Sequence, residues 1–282
     1  MATAQEQLTE VINNLIEKIE LGTGSWIKPW KNTFPMNYIS KRAYSGFNVW
    51  LLWSLAQERN YTTNNWLSFK QVTEKGGKII KGEKATPVFF FKPIQIKERD
   101  EVSGELKTKT IPLLKTYNIF NVDQTDLTVE AFTETALIPS VDEFIENCGV
   151  DIIQDTFAYY LPSRHVIGMP PKDSFTTTEG YYSTILHELA HSSGIALNRD
   201  MSGAFGSPSY QTEELIAEST KTFLAMYLQI EDKDSVHFEQ SAAYLKSWLK
   251  GAEPKSLFRI FSQAQKAYEY LVSLQSEEEA AA

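Results

Sequence analysis

Cysteine is nearly absent. Only Cys148 stands in 282 residues, so the chain cannot form an internal disulfide or build a metal centre from clustered thiolates. A lone thiol fits a reducing, cytoplasmic setting. Long apolar runs are also missing. The densest, Val49 to Ala56, falls far short of the roughly 20 residues that a membrane-spanning helix needs, and no membrane segment is expected. The first twenty-odd residues carry several glutamates and no long apolar stretch, so they read as an amphipathic helix rather than a secretory signal. There is no internal repeat, and low complexity is confined to the terminal SEEEAAA.

What is present is ordinary in amount and uneven in placement. Hydrophobic residues make up 42% and charged residues 22%, enough to give both halves of the chain a core. The net charge of −9 hides an asymmetry: residues 1–125 hold 17 Lys+Arg against 12 Asp+Glu, and residues 126–282 hold 10 against 24. A mildly basic front is joined to a strongly acidic back, and such a division points to a nucleic-acid partner for the front.

Histidine is scarce, with four in the chain, and two of the four lie within five positions in His187-Glu188-Leu189-Ala190-His191. The surrounding residues predict a helix. Thr176 and Glu179 have capping-box spacing, Tyr182, Ile185, Leu186 and Leu189 recur at helical intervals, and Gly194 stands where a helix stop is expected. Residues four apart share a helix face, so His187 and His191 can hold one metal ion, with Glu188 beside them to accept a proton from water on it. Two neutral imidazoles suit Zn2+, which brings bound water within reach of deprotonation at neutral pH. A catalytic zinc wants a third protein ligand. The version that places a histidine three residues after the glycine is excluded, because that position is Leu197. Downstream, Glu213-Glu214-Leu215-Ile216-Ala217-Glu218 opens a second helical pattern. Glu214 is the expected third ligand, and Glu218, one turn on, is expected to orient a histidine from behind. Glu213 stays open as the alternative ligand. The arrangement resembles the thermolysin-like zincins.

In chain order, an amphipathic helix over 4–20 is followed by the loop segment Trp26 to Tyr44 and a helix from Val49 to Gln57. A short helix is predicted from Trp66 to Thr73. Strands are predicted over Lys78–Lys81, Thr86–Lys97 and Leu106–Phe120, with a polar hairpin loop at Asp100–Glu105. The back half has a helix at Val141–Cys148, a strand pair within Ile152–Tyr160, an extended segment through Val166–Met169 and the motif helix. A Gly/Ser-rich loop over Asn198–Tyr210 and helices at Thr212–Gln229, Phe238–Leu249 and Leu257–Leu274 complete it. The fold class is α+β: N-terminal helices plus an antiparallel sheet over 1–125, a linker over 126–140, a mostly helical domain over 141–275 and a frayed tail over 276–282. Five of the six tryptophans precede position 67. Trp26, Trp30, Tyr38 and Tyr44, interleaved with Lys28, Lys31, Arg42 and Lys70, have the composition of a stacking platform for single-stranded nucleic acid. Trp50 and Trp53 are expected in the core.

Further motifs run in a fixed order: Pro29-Trp30, Pro35-x-Asn37, Tyr44-x-Gly46-x-Asn48, Trp66 to Gln71, Gly77 to Lys84, Phe120 to Gln124, then HELAHSSG and FGSPSYQTEELIAE. Together they resemble the ArdC-type antirestriction proteins of plasmids and phages over about residues 4 to 270. The resemblance implies a single-stranded-DNA-binding front domain, in which Asn48 joins the candidate contacts, and a zincin-like metallopeptidase domain behind it. It places the metal on His187, His191 and Glu214, with Glu188 as the catalytic carboxylate and an unidentified protein as substrate. Ser192-Ser193 replaces an aromatic-containing pair of the family pattern, which is expected to alter the cleft wall. Tyr210 and His165 are candidate stabilisers of the oxyanion. Two other readings stay open: an intracellular zinc peptidase whose front binds proteins, and a binding protein with a structural metal.

Overall fold

The structure, a computed structural model, describes residues 3–20, 34–99, 106–128, 140–230 and 254–276. The predicted helix at Phe238–Leu249 lies outside them.

In the front half, helix α1 (Ala4–Glu20) places Leu8 and Ile12 in the core, as their spacing requires. Strand β1 (Met36–Asn37), helix α2 (Phe47–Glu58), strand β2 (Asn65–Ser68) and helix α3 (Phe69–Glu74) follow. The long hairpin of β3 (Thr86–Arg99) and β4 (Leu106–Asn121) then completes a four-stranded sheet in the order β1-β2-β4-β3. The predicted helix at Trp66 is corrected. Trp66 and Leu67 lie in β2, opposite Asn121 and Phe120 of β4, and the helix starts only after Ser68. There Ser68 and Gln71 form a reciprocal capping box. The predicted strand at Lys78–Lys81 reduces to one bridge, Ile79 to Thr125.

The back half begins with α4 (Val141–Asn147) and a three-stranded sheet of β5 (Asp151–Gln154), β6 (Tyr159–Leu161) and β7 (Val166–Met169), ordered β5-β7-β6. The segment read only as extended is the central strand, buried along its length. Helix α5 (Thr178–Ala196) lies against β6 and β7 and packs on α6 (Pro208–Tyr227), which packs in turn on α7 (Pro254–Ser273). Two helix boundaries differ from expectation. The cap of α5 is Thr177, which accepts from the Gly180 amide, and the helix runs past Gly194. A Cβ there would run into Met201 Sδ, so this glycine serves close packing rather than termination. Helix α6 starts at Pro208 behind the Ser207 cap, a start signal hidden in a Gly/Ser-rich stretch.

The largest apolar cluster takes Leu8, Phe47, Trp50, Trp53 and Phe89 from the front and Leu215, Phe223, Ile260 and Phe261 from the back. A second cluster, wholly of the back half, holds α5 and α6 together through Ile185, Leu186, Leu189 and Leu224. The site lies on these two helices. Among the described residues no helix is long and apolar enough to cross a membrane.

Candidate metal centre

His187 and His191 stand one turn apart in the middle of α5, and Glu213, Glu214 and Glu218 lie on the facing side of α6. The two Nε2 atoms are 3.1 Å apart. Glu214 reaches both, Oε2 lying 3.5 Å from His187 Nε2 and Oε1 3.5 Å from His191 Nε2. His187, His191 and Glu214 therefore offer three ligand atoms within 4.8 Å of one another.

Each histidine is held from behind. Glu218 is 3.1 Å from Nδ1 of His187, and Glu213 is 3.1 Å from Nδ1 of His191. A carboxylate at Nδ1 keeps the proton there and leaves the Nε2 lone pair free to ligate. With both imidazoles fixed this way, two nitrogens and one carboxylate converge on one point, a donor set that fits zinc. Glu213, the alternative ligand, is thereby placed behind His191 rather than on the metal side.

The backing carboxylates are themselves neutralised by buried cations. Arg199 forks onto Glu213 through Nε (3.0 Å) and Nη2 (2.8 Å), and also donates to Ala190 O and Ser193 Oγ. Lys221 contacts Glu218. Neither cation was singled out by the sequence, because neither belongs to a motif. Arg199 comes from the loop between α5 and α6, and only the folded chain brings it to Glu213.

Burial raises the Glu188 carboxyl above the usual carboxylate range, although the two histidines oppose the shift. Burial pulls His187 down, but Glu214 and Glu218 outweigh it and hold the imidazole up at about 10, so a metal would take Nε2 in exchange for its proton. Against the effect of burial, His191 and Arg199 hold Glu213 low, the two histidines hold Glu214 low, and Lys221 with His187 holds Glu218 low.

A cleft of about 340 Å³ opens over the triad, and Glu188, Tyr160 and Tyr210 are among its walls. His165 is not a lining residue; it accepts or donates at Nδ1 to the Tyr160 hydroxyl at 2.7 Å, so it reaches the cleft only through that tyrosine. Ser192 and Ser193 are buried and do not line the cleft. Ser193 instead donates to Ala190 O and receives Arg199.

The front-half candidates separate. Trp26, Lys28, Trp30 and Lys31 lie outside the described residues. Trp50 and Trp53 are in the core. Asn48 is buried, and its amide accepts from the Phe89 N–H at 2.9 Å and donates to the Phe89 C=O at 2.7 Å, which gives it a role within the fold. Lys70 is exposed and pairs with Glu74 at 3.6 Å. Tyr38 lies under the Lys41 ammonium, which is 4.4 Å from its ring centroid. Arg42 and Tyr44 line a separate groove beside β3 and β4.

Two family models match the chain: the N-terminal domain of anti-restriction factor ArdC over residues 5–120 and a zincin-like metallopeptidase over residues 139–266. The ArdC antirestriction protein of plasmid R388 is 36% identical in a metal-free crystal structure, with a TM-score of 0.77, over 95% of this chain and 97% of that one. A Mn(II)-bound structure of the same protein aligns with a TM-score of 0.76 at 34% identity, over 96% of this chain and 98% of that one. A DNA primase, TraC of Escherichia coli, is 31% identical over 95% of this chain, which spans 20% of that protein's length. The y4eC protein of Sinorhizobium fredii is 29% identical, over 95% of this chain and 92% of that protein. The zincin-like domain implies zinc as the metal.

Proposed function

This chain belongs to the ArdC antirestriction family, and from that premise we propose that it binds single-stranded DNA through its front half and hydrolyses peptide bonds at the His187–His191–Glu214 site, acting in the cytoplasm of a host that receives mobile DNA. The observation that carries the catalytic half is the pairing of each histidine Nδ1 with its own carboxylate. That pairing leaves both Nε2 atoms and Glu214 available to a common ion, in a cleft that Glu188 also lines.

Zinc held by these three residues would supply a Lewis acid to polarise a carbonyl and acidify water. The chain's own groups do the rest. Glu188, with its carboxyl raised by burial, takes a proton from the attacking water and returns it to the leaving amine. Tyr160 and Tyr210 line the cleft, and a hydroxyl from either would donate to the carbonyl oxygen as charge develops on it. The DNA half rests on the net positive charge of residues 1–125, on the match to the N-terminal domain of anti-restriction factor ArdC and on the similarity of this chain to part of a DNA primase.

Glu188→Gln separates binding from chemistry. Its amide keeps the volume but accepts no proton, so zinc content should match wild type while cleavage of an unfolded protein substrate falls about 10²–10⁴-fold. Retention of wild-type proteolysis by this variant would remove Glu188 from the mechanism.

A further inference from the structure

The β3–β4 hairpin has two faces of opposite fate. Its register places Val88 opposite Tyr117 and Phe90 opposite Lys115, so these four side chains share one face. Phe89 and Phe91 point the other way. Phe89 is buried in the main core, and Phe91 meets Phe258 edge-on at 4.7 Å. A sheet with one face on the core normally turns polar residues outward on the other. Here the outward face is aromatic. Val88 and Ile119 are covered by Leu52, Ala56 and Trp66, but the cover ends there: Phe90 is 38% exposed, Tyr117 54% and Leu113 40%. The two rings meet edge to face, with centroids 5.6 Å apart and planes at 74°.

These rings form the floor of a groove of about 560 Å³, with Tyr44 and Arg42 on one side and Lys115 beside the rings. Its lining residues include two cations and no aspartate or glutamate, in a chain whose net charge is −9. An apolar peptide would use the rings but leave the cations unanswered. Duplex DNA would answer the cations but keeps its bases stacked inside. A single strand answers both, since its phosphates meet the cations and its bases are free to stack on aromatic rings.

We propose that this open face of the hairpin is the seat for single-stranded DNA, with Phe90 and Tyr117 stacking on bases and Arg42 and Lys115 contacting phosphates. The proposal rests on the reading of the front half as a single-strand-binding module, and gives that module its surface.

The test uses the full chain and fluorescein-labelled oligothymidine, with duplex DNA alongside, followed by anisotropy at several salt concentrations. Phe90→Ala/Tyr117→Ala should bind the single strand about 10–100-fold more weakly than wild type. Tyr117→Phe, which keeps the ring, should bind within about twofold of wild type. Arg42→Ala/Lys115→Ala should weaken binding and lower the slope of log affinity against log salt by about 1.4. Should the double aromatic variant fail to fold, Tyr117→Ala alone carries the same test. If wild type binds the single strand and the groove variants bind equally well, the groove assignment is wrong and the reading of the front half stands. If wild type binds no single strand even at low salt, both fall together.

Discussion

Arg199 touches none of the metal-ligating atoms, yet its fork on Glu213 decides whether His191 stays aimed. Glu213 is buried and carries its charge between an imidazole and this guanidinium. Arg199→Met would leave that carboxylate uncompensated in the interior, at a cost of about 3–5 kcal/mol of stability. It would also loosen His191, with an expected loss of zinc affinity of about 10–100-fold, measurable by competition with a chromophoric chelator. Arg199→Lys should recover part of the stability but less of the affinity, because a point charge cannot hold both carboxylate oxygens in one plane. Cys148 gives a pH test at the same scale. Burial pushes its thiol up to about 12 from an ordinary 9, so the folded protein keeps the proton while the unfolded chain loses it. The contribution to stability is complete below about pH 9 and declines as pH rises towards 12, by at most about 1.4 kcal/mol per pH unit. Chemical denaturation across that range should show the decline, and Cys148→Ala should flatten it. Four-residue spacing on a helix maps directly onto a shared face, which made the pairing of His187 with His191 and of Glu214 with Glu218 legible in the sequence. It could not show Arg199 or Lys221, whose roles depend on what faces them across a helix pair.

At the level of elements, Asn48 ties the start of α2 to β3. Its side-chain amide accepts from the Phe89 N–H and donates to the Phe89 carbonyl, acting as a one-residue substitute for a neighbouring strand. Asn48→Ala would strand two backbone groups in a buried setting, with an expected loss of about 2–4 kcal/mol. A lower thermal midpoint with unchanged oligonucleotide affinity, measured below that midpoint, would fit this structural role. Reduced affinity in fully folded protein would return Asn48 to the DNA interface. The motif around Asn48 was visible in the sequence, but a polar residue in a motif can serve a backbone as well as a ligand, and only burial distinguishes them. Element types were legible where the period was long and clean, as in α1, α7 and the β3–β4 hairpin. They were lost where β2 gives way to α3 within a few residues, since Trp66 and Leu67 are apolar in either state. The Ser68-x-x-Gln71 capping pattern marks the change, and the apolar residues before it belong to the sheet.

Across the whole molecule, the main core makes the front half answerable to the back. Phe261 of α7 packs on Phe47 and Trp50 of α2, with ring centroids 5.6 and 5.5 Å away, and Leu8 of α1 is buried in the same cluster as Leu215 of α6. A fragment ending near residue 125 would expose this surface, which is why DNA binding is best measured on the full chain. The same packing predicts a coupling between metal and front. Five of the six tryptophans lie before position 67, so tryptophan fluorescence reports chiefly on the front, whereas the metal ligands lie wholly on α5 and α6. If both halves unfold as one unit, zinc at 100 times its dissociation constant should stabilise the protein by about 2.7 kcal/mol, and the tryptophan-monitored midpoint should rise with it. Glu214→Ala should abolish the rise by removing a ligand without touching the shared core. A tryptophan signal that melts at the same temperature with and without zinc, while a back-half probe shifts, would show that the two halves unfold independently despite their common core.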